Sequence, residues 1–215
     1  MSKDYIARLR KLAVATLSDG CDQIAGHRGF MDFNIKARVN ARKIVGTAAT
    51  VLEVPTTESH LPELAFDVID ESPKGSVIVI ACGGDKNIAV WGEIMNAGAN
   101  TAGHEGVVVD GGTRDIELIE KDTDFPVYAR SIVPASSVGR LKTLERDIPV
   151  MIGGVLVSPG DYIVGDGDGI VSIPADHVES IIEFAEEAEN TEAEMVEYIK
   201  EKGSIRAATD KFGRA

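Results

Sequence analysis

Near the N-terminus, apolar residues recur at three- and four-residue steps: Tyr5, Ile6, Leu9, Leu12, Ala13 and Leu17, with Arg8, Arg10 and Lys11 between them. That period is one face of an amphipathic helix, placed over residues 3–18 and ended by Ser18-Asp19-Gly20. At Ile44 the texture changes. Ile44 to Val54 is a run of small and β-branched residues, which suits a strand buried on both faces, and Pro55 closes it. His60 to Glu71 returns to helical period, and Ser76 to Cys82 reads as a core strand. A second helix is predicted from Ile88 through Trp91 and Met95 to Ala102-Gly103, followed by a short strand at Gly106–Asp110. Strand, helix and strand in this order form a βαβ unit, whose crossover is right-handed and whose strands are parallel.

Beyond Arg114 the pattern predicts a short helix from Ile116 to Lys121 and a strand at Val127–Arg130. Short β runs follow at Pro149–Ile152, Val155–Val157, Tyr162–Val164 and Gly169–Ile173, spaced by Gly-Gly, Pro-Gly and Gly-Asp-Gly-Asp-Gly turns, so this half is partly antiparallel. From about 175 to 202 the chain is an acidic helix, with Val178, Ile181, Ile182, Phe184, Ala185, Met195, Val196 and Ile199 as its apolar stripe. No internal repeat or long linker divides the chain. The expectation is one α/β domain over residues 1–215, with mixed sheets, a βαβ crossover and a C-terminal helix.

Charge narrows the partners. Lys and Arg number 22 against 35 Asp and Glu, a formal net charge of −13. Such a balance repels phosphate backbones and anionic lipid, which argues against nucleic acid and membrane surfaces as primary partners. Only Cys21 and Cys82 occur, so neither a disulfide framework nor a zinc ribbon is available. Met1 to Tyr5 carries no apolar leader and no stretch approaches a membrane span, so the expected location is cytoplasmic.

The densest chemistry lies in Val107-Val108-Val109-Asp110-Gly111-Gly112-Thr113-Arg114-Asp115. An apolar strand enters a glycine turn, and an arginine and a carboxylate then open the next helix at the edge where α/β sheets bind ligands. On the dipeptide alone, Asp115 would be a helix-terminal charge and Arg114 a surface residue, and Arg146-Asp147 repeats the pair with nothing around it. Gly92-Glu93-Ile94-Met95 strengthens the case: twenty residues separate Glu93 from Arg114, and one crossover can return both to a common mouth. Asp85, after Gly83-Gly84, could border the same rim, although this is first a turn sequence. Gly165 to Gly169 reads as a β-turn rather than a calcium loop, and Trp91 as a core wedge. The four histidines have no paired metal spacing, and no P-loop or nucleophile elbow is present.

Trp91-Gly92-Glu93-Ile94-Met95, the Arg114-Asp115 pair and Val109-Asp110-Gly111-Gly112 together resemble the signature of the RraA-like family. That family includes 4-hydroxy-4-methyl-2-oxoglutarate/4-carboxy-4-hydroxy-2-oxoadipate aldolases and regulators of ribonuclease E activity. The resemblance runs from Thr16 to about Pro174 and includes Arg28-Gly29-Phe30-Met31, Ile44-Val45-Gly46-Thr47-Ala48 and Pro134 to Arg140. It implies a compact β/β/α swivelling-type domain assembled as a homotrimer or hexamer, with clefts between subunits. It also implies a divalent cation, Mg²⁺ or Mn²⁺, held by Asp115, and Arg114 on the 2-oxo group of the substrate. The Ile94 and Met95 amides beyond Gly92 would receive the carboxylate, and Glu93, where most of the aldolases carry Asp, would hold a water and move protons. A further carboxylate is expected from the C-terminal helix of a neighbouring subunit, with Glu189 and Glu192 as candidates.

The activity implied is a metal-dependent aldolase, a carbon–carbon lyase that cleaves 4-hydroxy-2-oxo diacids to pyruvate, with oxaloacetate decarboxylase activity beside it. Hard oxygen donors and few protein ligands suit magnesium. A Schiff-base route would need a desolvated lysine, and Lys74 and Lys86 stand in glycine-rich turns. The alternative is a non-catalytic regulator that binds ribonuclease E-like partners. Those regulators lack the metal-binding aspartate, which this chain keeps at Asp115.

Overall fold

The apolar run that begins at Ile44 becomes the axis of the fold. The computed structural model describes residues 4–213, and within them this run is β2 (Ile44–Pro55). The main sheet begins with β1 (Lys36–Val39) and β2, and continues through β3 (Val77–Ala81), β4 (Ala89–Trp91), β5 (Gly106–Thr113), β6 (Val127–Ile132) and β7 (Leu141–Arg146). A separate hairpin, β8 (Val150–Ile152) and β9 (Val155–Val157), precedes β10 (Tyr162–Gly165) and β11 (Ile170–Ile173), which rejoin the main sheet. Its order is β1-β6-β5-β3-β2-β10-β11, with β4 added to β5 and β7 to β2. The β2/β3, β3/β5 and β5/β6 pairs are parallel, as the βαβ pattern requires, whereas β7, β10 and β1 pair antiparallel.

Both faces of the central strands are covered, and the alternation of β3 shows how. Ile78, Ile80 and Cys82 face a core shared with Trp91, Phe125 and the helices α3 (Glu63–Glu71), α4 (Glu93–Ala102) and α5 (Ile116–Asp122). Val77, Val79 and Ala81 face the opposite core, with Ile35, Tyr128 and the β8/β9 hairpin. A third core packs α1 (Tyr5–Leu9), α2 (Val14–Gly20) and α6 (Val178–Lys202) on β10 and β11. The last element among the described residues is α7 (Ile205–Phe212), capped by Ser204 Oγ, which accepts from the Ala207 amide at 3.1 Å. This is the mixed α/β architecture anticipated, with the acidic helix close to its expected bounds. No helix among the described residues is long and apolar enough to cross a membrane.

Four expectations are corrected. The helix placed over residues 3–18 is two helices, and Lys3 lies outside the described residues. Tertiary partners take the backbone groups that a continuous helix would use: Lys43 Nζ donates to the Leu12 carbonyl, Glu189 Oε1 accepts from Ala13 N at 2.7 Å, and Asp166 Oδ2 from Val14 N at 3.1 Å. Ser18-Asp19-Gly20 does not stop α2, which runs on into a π-helical turn at Cys21–Ala25 with Cys21 buried. The helix expected from Ile88 starts only at Glu93, because Ala89 N donates sideways to Ala135 O (2.7 Å) and Ile88 O accepts from Gly112 N (2.8 Å), which makes β4 a strand. Finally, Gly111-Gly112 is strand rather than turn. A Cβ on Gly111 would lie 2.7 Å from Cys82 Sγ, so that glycine serves close packing between strands.

Candidate active site

The site is built by strand register. β4 runs parallel to the end of β5, with Ala89 opposite Gly112 and Trp91 opposite Thr113. The two chains therefore leave the sheet side by side, one as Gly92-Glu93 and the other as Arg114-Asp115. Arg114 N donates to Trp91 O at 3.0 Å, and the buried Thr113 Oγ1 donates to the same carbonyl at 3.3 Å. Trp91 itself is fixed from below. Its ring stacks on Phe125 with centroids 6.1 Å apart, and Nε1 donates to Asn96 Oδ1 at 3.2 Å. It is a core wedge, as read from the sequence, and it also forms part of the cleft wall.

Asp115 has φ +61° and ψ 33°, a left-handed conformation that is uncommon outside glycine. Its carbonyl starts α5 by accepting from Leu118 N and Ile119 N, but its side chain makes no cap there. The carboxylate turns back to the other helix instead, where Oδ2 accepts from Glu93 N, the first amide of α4, at 3.2 Å. Arg114 Nε lies 3.5 Å from the same oxygen. An ordinary helix-terminal charge would serve its own helix. Asp147 shares the left-handed backbone, at φ +55°, yet Arg146 is drawn away to Glu71 at 2.7 Å and neither residue lines the cleft. What distinguishes Arg114-Asp115 is the neighbouring β4-to-α4 corner.

Gly92 makes that corner possible. Its backbone is extended and any residue could adopt it, but a Cβ there would sit 2.7 Å from Asp115 Oδ2 and 3.3 Å from Arg114 Nε. The first-turn amides of α4, at Ile94 and Met95, have no acceptor within the helix by geometry, and the helix dipole adds partial positive charge at that end. A cleft of about 240 Å³ opens over this corner. Gly92, Glu93, Ile94, Met95, Arg114 and Asp115 all line it, so the residues of the Gly92–Met95 and Arg114-Asp115 motifs are gathered there.

Other candidates fall elsewhere. Asp85 forms a local turn, with Oδ1 accepting from Asn87 N at 2.8 Å, and does not line the cleft. Within the chain neither Glu189 nor Glu192 lines it, and Glu189 accepts from Ala13 N. Sequence reasoning did not single out Leu61, Pro62 and Phe66 around the start of α3, or Ser136, Ser137 and Val138, as cleft-lining residues. The signal available was Pro134 to Arg140, which the backbone pairing of Ala89 with Ser136 brings to the rim. It also passed over Glu53, buried on β2 with 3% exposure and no hydrogen-bond partner for either carboxylate oxygen. Burial pushes the Glu53 carboxyl up to about 7. Cys82 is close enough that the Glu53 charge adds to the burial that raises its thiol.

The donor set bears on the metal. Among the described residues no group of three or more His, Cys, Asp or Glu could hold an ion, so an all-protein cage is absent. Asp115, with Oδ2 anchored by an amide and a guanidinium, and Glu93 on the adjoining turn supply hard oxygens beside an open cleft. That fits an ion such as Mg²⁺, which keeps most of its waters and needs few protein carboxylates.

A covered mixed sheet with an Arg-Asp pair docked on a helix start at its carboxyl edge defines an α/β domain with an oxygen-donor cleft. Residues 14–172 match the family described as RraA-like, Aldolase/RraA, and the chain belongs to that family. Protein DlpA of Legionella pneumophila is 32% identical over 169 residues, 78% of this chain, which spans only 27% of that protein's length. A protein of Halalkalibacterium halodurans named "Putative 4-hydroxy-4-methyl-2-oxoglutarate aldolase" is 32% identical over 186 residues, 85% of this chain and 82% of its own. The crystal structure of Streptomyces coelicolor RraAS2, called an unusual member of the RNase ES inhibitor RraA protein family, superposes with a TM-score of 0.82 at 26% identity. That match covers 89% of this chain and 96% of the other.

Proposed function

We propose that this cleft is the active site of a divalent-metal-dependent carbon–carbon lyase that cleaves 4-hydroxy-2-oxo acids to pyruvate and decarboxylates oxaloacetate at the same centre. The observation that carries the reading is the docking of the Asp115 carboxylate on the first amide of α4 beside Arg114, with Gly92 leaving room for it. The aldolase name of the Halalkalibacterium relative supports the reaction class and makes 4-hydroxy-4-methyl-2-oxoglutarate the first substrate to test.

Asp115 would hold the cation, with Glu93 beside it on the adjoining turn. When bound, the cation would supply Lewis acidity to the reacting oxygens. The Ile94 and Met95 amides receive the carboxylate at the start of α4. Arg114, permanently charged and fixed in a fork, donates to the 2-oxo oxygen as negative charge develops on it. Glu93 takes the C4-hydroxyl proton through a water, the C3–C4 bond breaks, and its electron pair passes into the enolate of pyruvate, which is then protonated at C3. Decarboxylation of oxaloacetate breaks the C3–C4 bond, releases CO₂ and leaves its electron pair in the same enolate, which is why one site serves both reactions.

The assembly in this reading is a homotrimer or hexamer. Ile94, Leu118 and Ile132, exposed by 82%, 46% and 58% beside the Arg114 corner, are the apolar surface that a neighbouring subunit would cover.

Pyruvate release, read by coupling to lactate dehydrogenase across 2-oxo acids with and without Mg²⁺, tests the proposal. Turnover that EDTA and Asp115→Ala both abolish is expected; no turnover with any substrate contradicts it. The kinship with an RNase ES inhibitor family supports a second reading, regulation by binding a basic region of a nuclease through the acidic surface. Capture of such a region that is indifferent to EDTA, combined with catalytic silence, would favour it.

A further inference from the structure

Asn96 stands one turn into α4, is 1% exposed and does not line the cleft. Both ends of its side-chain amide are used. Oδ1 accepts from Trp91 Nε1 at 3.2 Å, and Nδ2 donates to Thr123 Oγ1 at 2.9 Å. Thr123 is the residue that ends α5. Its hydroxyl donates on to Ile119 O at 3.4 Å, and its carbonyl accepts from Asn40 Nδ2 at 2.8 Å.

A buried indole N–H needs an acceptor, and any carbonyl in reach would serve it. Here the acceptor is tied to both helices that build the site. Asn96 N donates to Gly92 O at 3.0 Å, which fixes the residue to the corner that receives Asp115. Ile119 N donates to Asp115 O at 3.0 Å, which fixes the helix ended by Thr123 to the turn that presents the carboxylate. Trp91, held through Nε1 by Asn96, holds Arg114 N in turn through its own carbonyl at 3.0 Å. The bond from Glu93 N to Asp115 Oδ2 joins α4 to the start of α5, and Asn96 joins α4 to its end. One such link leaves a pivot, whereas two at separate places fix an orientation.

We infer that Asn96 is a positioning residue: its side-chain amide locks α4 against α5 and so sets the Glu93 amide and Arg114 at the Asp115 carboxylate. Its effect on turnover rests on the lyase reading, but the link itself is read without substrate. Asn96→Ala removes both hydrogen bonds, Thr123→Val removes one of them at constant shape, and Thr123→Ser keeps the hydroxyl. In the whole protein without added metal, hydrogen exchange is followed by mass spectrometry across Trp91–Met95. The Glu93 amide should exchange about tenfold faster in Asn96→Ala and Thr123→Val, the loss of about one hydrogen bond, and at the parental rate in Thr123→Ser. Amides of β3 should keep their rate, which separates local release from general destabilisation. With Mg²⁺ and 4-hydroxy-4-methyl-2-oxoglutarate or oxaloacetate, kcat should fall roughly ten- to a hundredfold in Asn96→Ala and Thr123→Val with KM nearly unchanged, and recover in Thr123→Ser. Parental exchange at Glu93 in Asn96→Ala and Thr123→Val, or an equal fall of kcat in Thr123→Ser and Thr123→Val, overturns the inference. If Asn96→Ala does not fold, the Thr123 pair decides. A parent protein that releases no pyruvate ends the lyase reading, and the exchange comparison then upholds or overturns the link by itself.

Discussion

Replacing Glu53 by Gln tests whether the buried face of β2 carries a neutral acid. Glu53 is 3% exposed and both of its carboxylate oxygens lack hydrogen-bond partners, so ionisation places a bare charge in the apolar core. Burial raises its pKa from an ordinary 4.5 to about 7. Because the folded state holds this proton more tightly than the unfolded chain, the associated stability is complete below the unfolded value and is lost as pH rises through 7. That rise of about 2.5 pH units, at about 1.36 kcal/mol each, comes to about 3 kcal/mol. A loss of that size is a large share of the ~5–15 kcal/mol that holds a domain folded. Gln has similar shape and no ionisation, so urea unfolding at pH values from about 5 to 8.5 should show the parent losing about 2.5 kcal/mol more than Glu53→Gln, the remainder being lost below pH 5. Asp110 and Asp161, which burial also raises, are present in both proteins and cancel in the comparison. Parallel pH profiles for the two proteins would refute the reasoning.

The site residues give three further tests. Gly92→Ala leaves an allowed backbone but sets a Cβ 2.7 Å from Asp115 Oδ2, so pyruvate release should fall by about a hundredfold while the melting temperature moves little. Arg114→Lys keeps a charge and loses the fork, so kcat should drop by about 10²–10³ with Mg²⁺ binding retained, as titration calorimetry would show. Trp91→Ala removes a ring that is 1% exposed and stacked on Phe125, which should cost about 3–5 kcal/mol in urea unfolding.

What the sequence disclosed follows from how strongly each feature is written into local pattern. β2, β3 and most of the α6 stripe are long or uniformly apolar, and their burial matches their composition, whereas Val196, expected on that stripe, is 47% exposed. β1 and β7 were not anticipated because Lys36–Val39 and Leu141–Arg146 are half-polar strands at the margin of the sheet, defined by their partners rather than by a period of their own. Ala89-Val90-Trp91 departs from its helical expectation for a related reason: alone it suits a helix, and only the Ala135 carbonyl and the Gly112 amide, both distant in sequence, make it a strand. The spacing of Glu93 and Arg114 did point to a shared mouth. The means of convergence, a three-residue strand laid along the end of β5, is a tertiary fact. Glu53 was invisible because one acid in an apolar run looks like a solvent-facing position until a second layer covers it.

The central claim is that Asp115, Arg114 and the start of α4 support formation of the enolate of pyruvate, whatever the natural leaving group. Proton NMR of pyruvate in D₂O with the protein and Mg²⁺ reads that step directly, as exchange of the C3 protons for deuterium. Exchange that requires the ion, slows in Arg114→Lys and disappears in Asp115→Ala is the predicted result. Absence of exchange in the parent protein, or exchange at an unchanged rate in Asp115→Ala, would contradict the account.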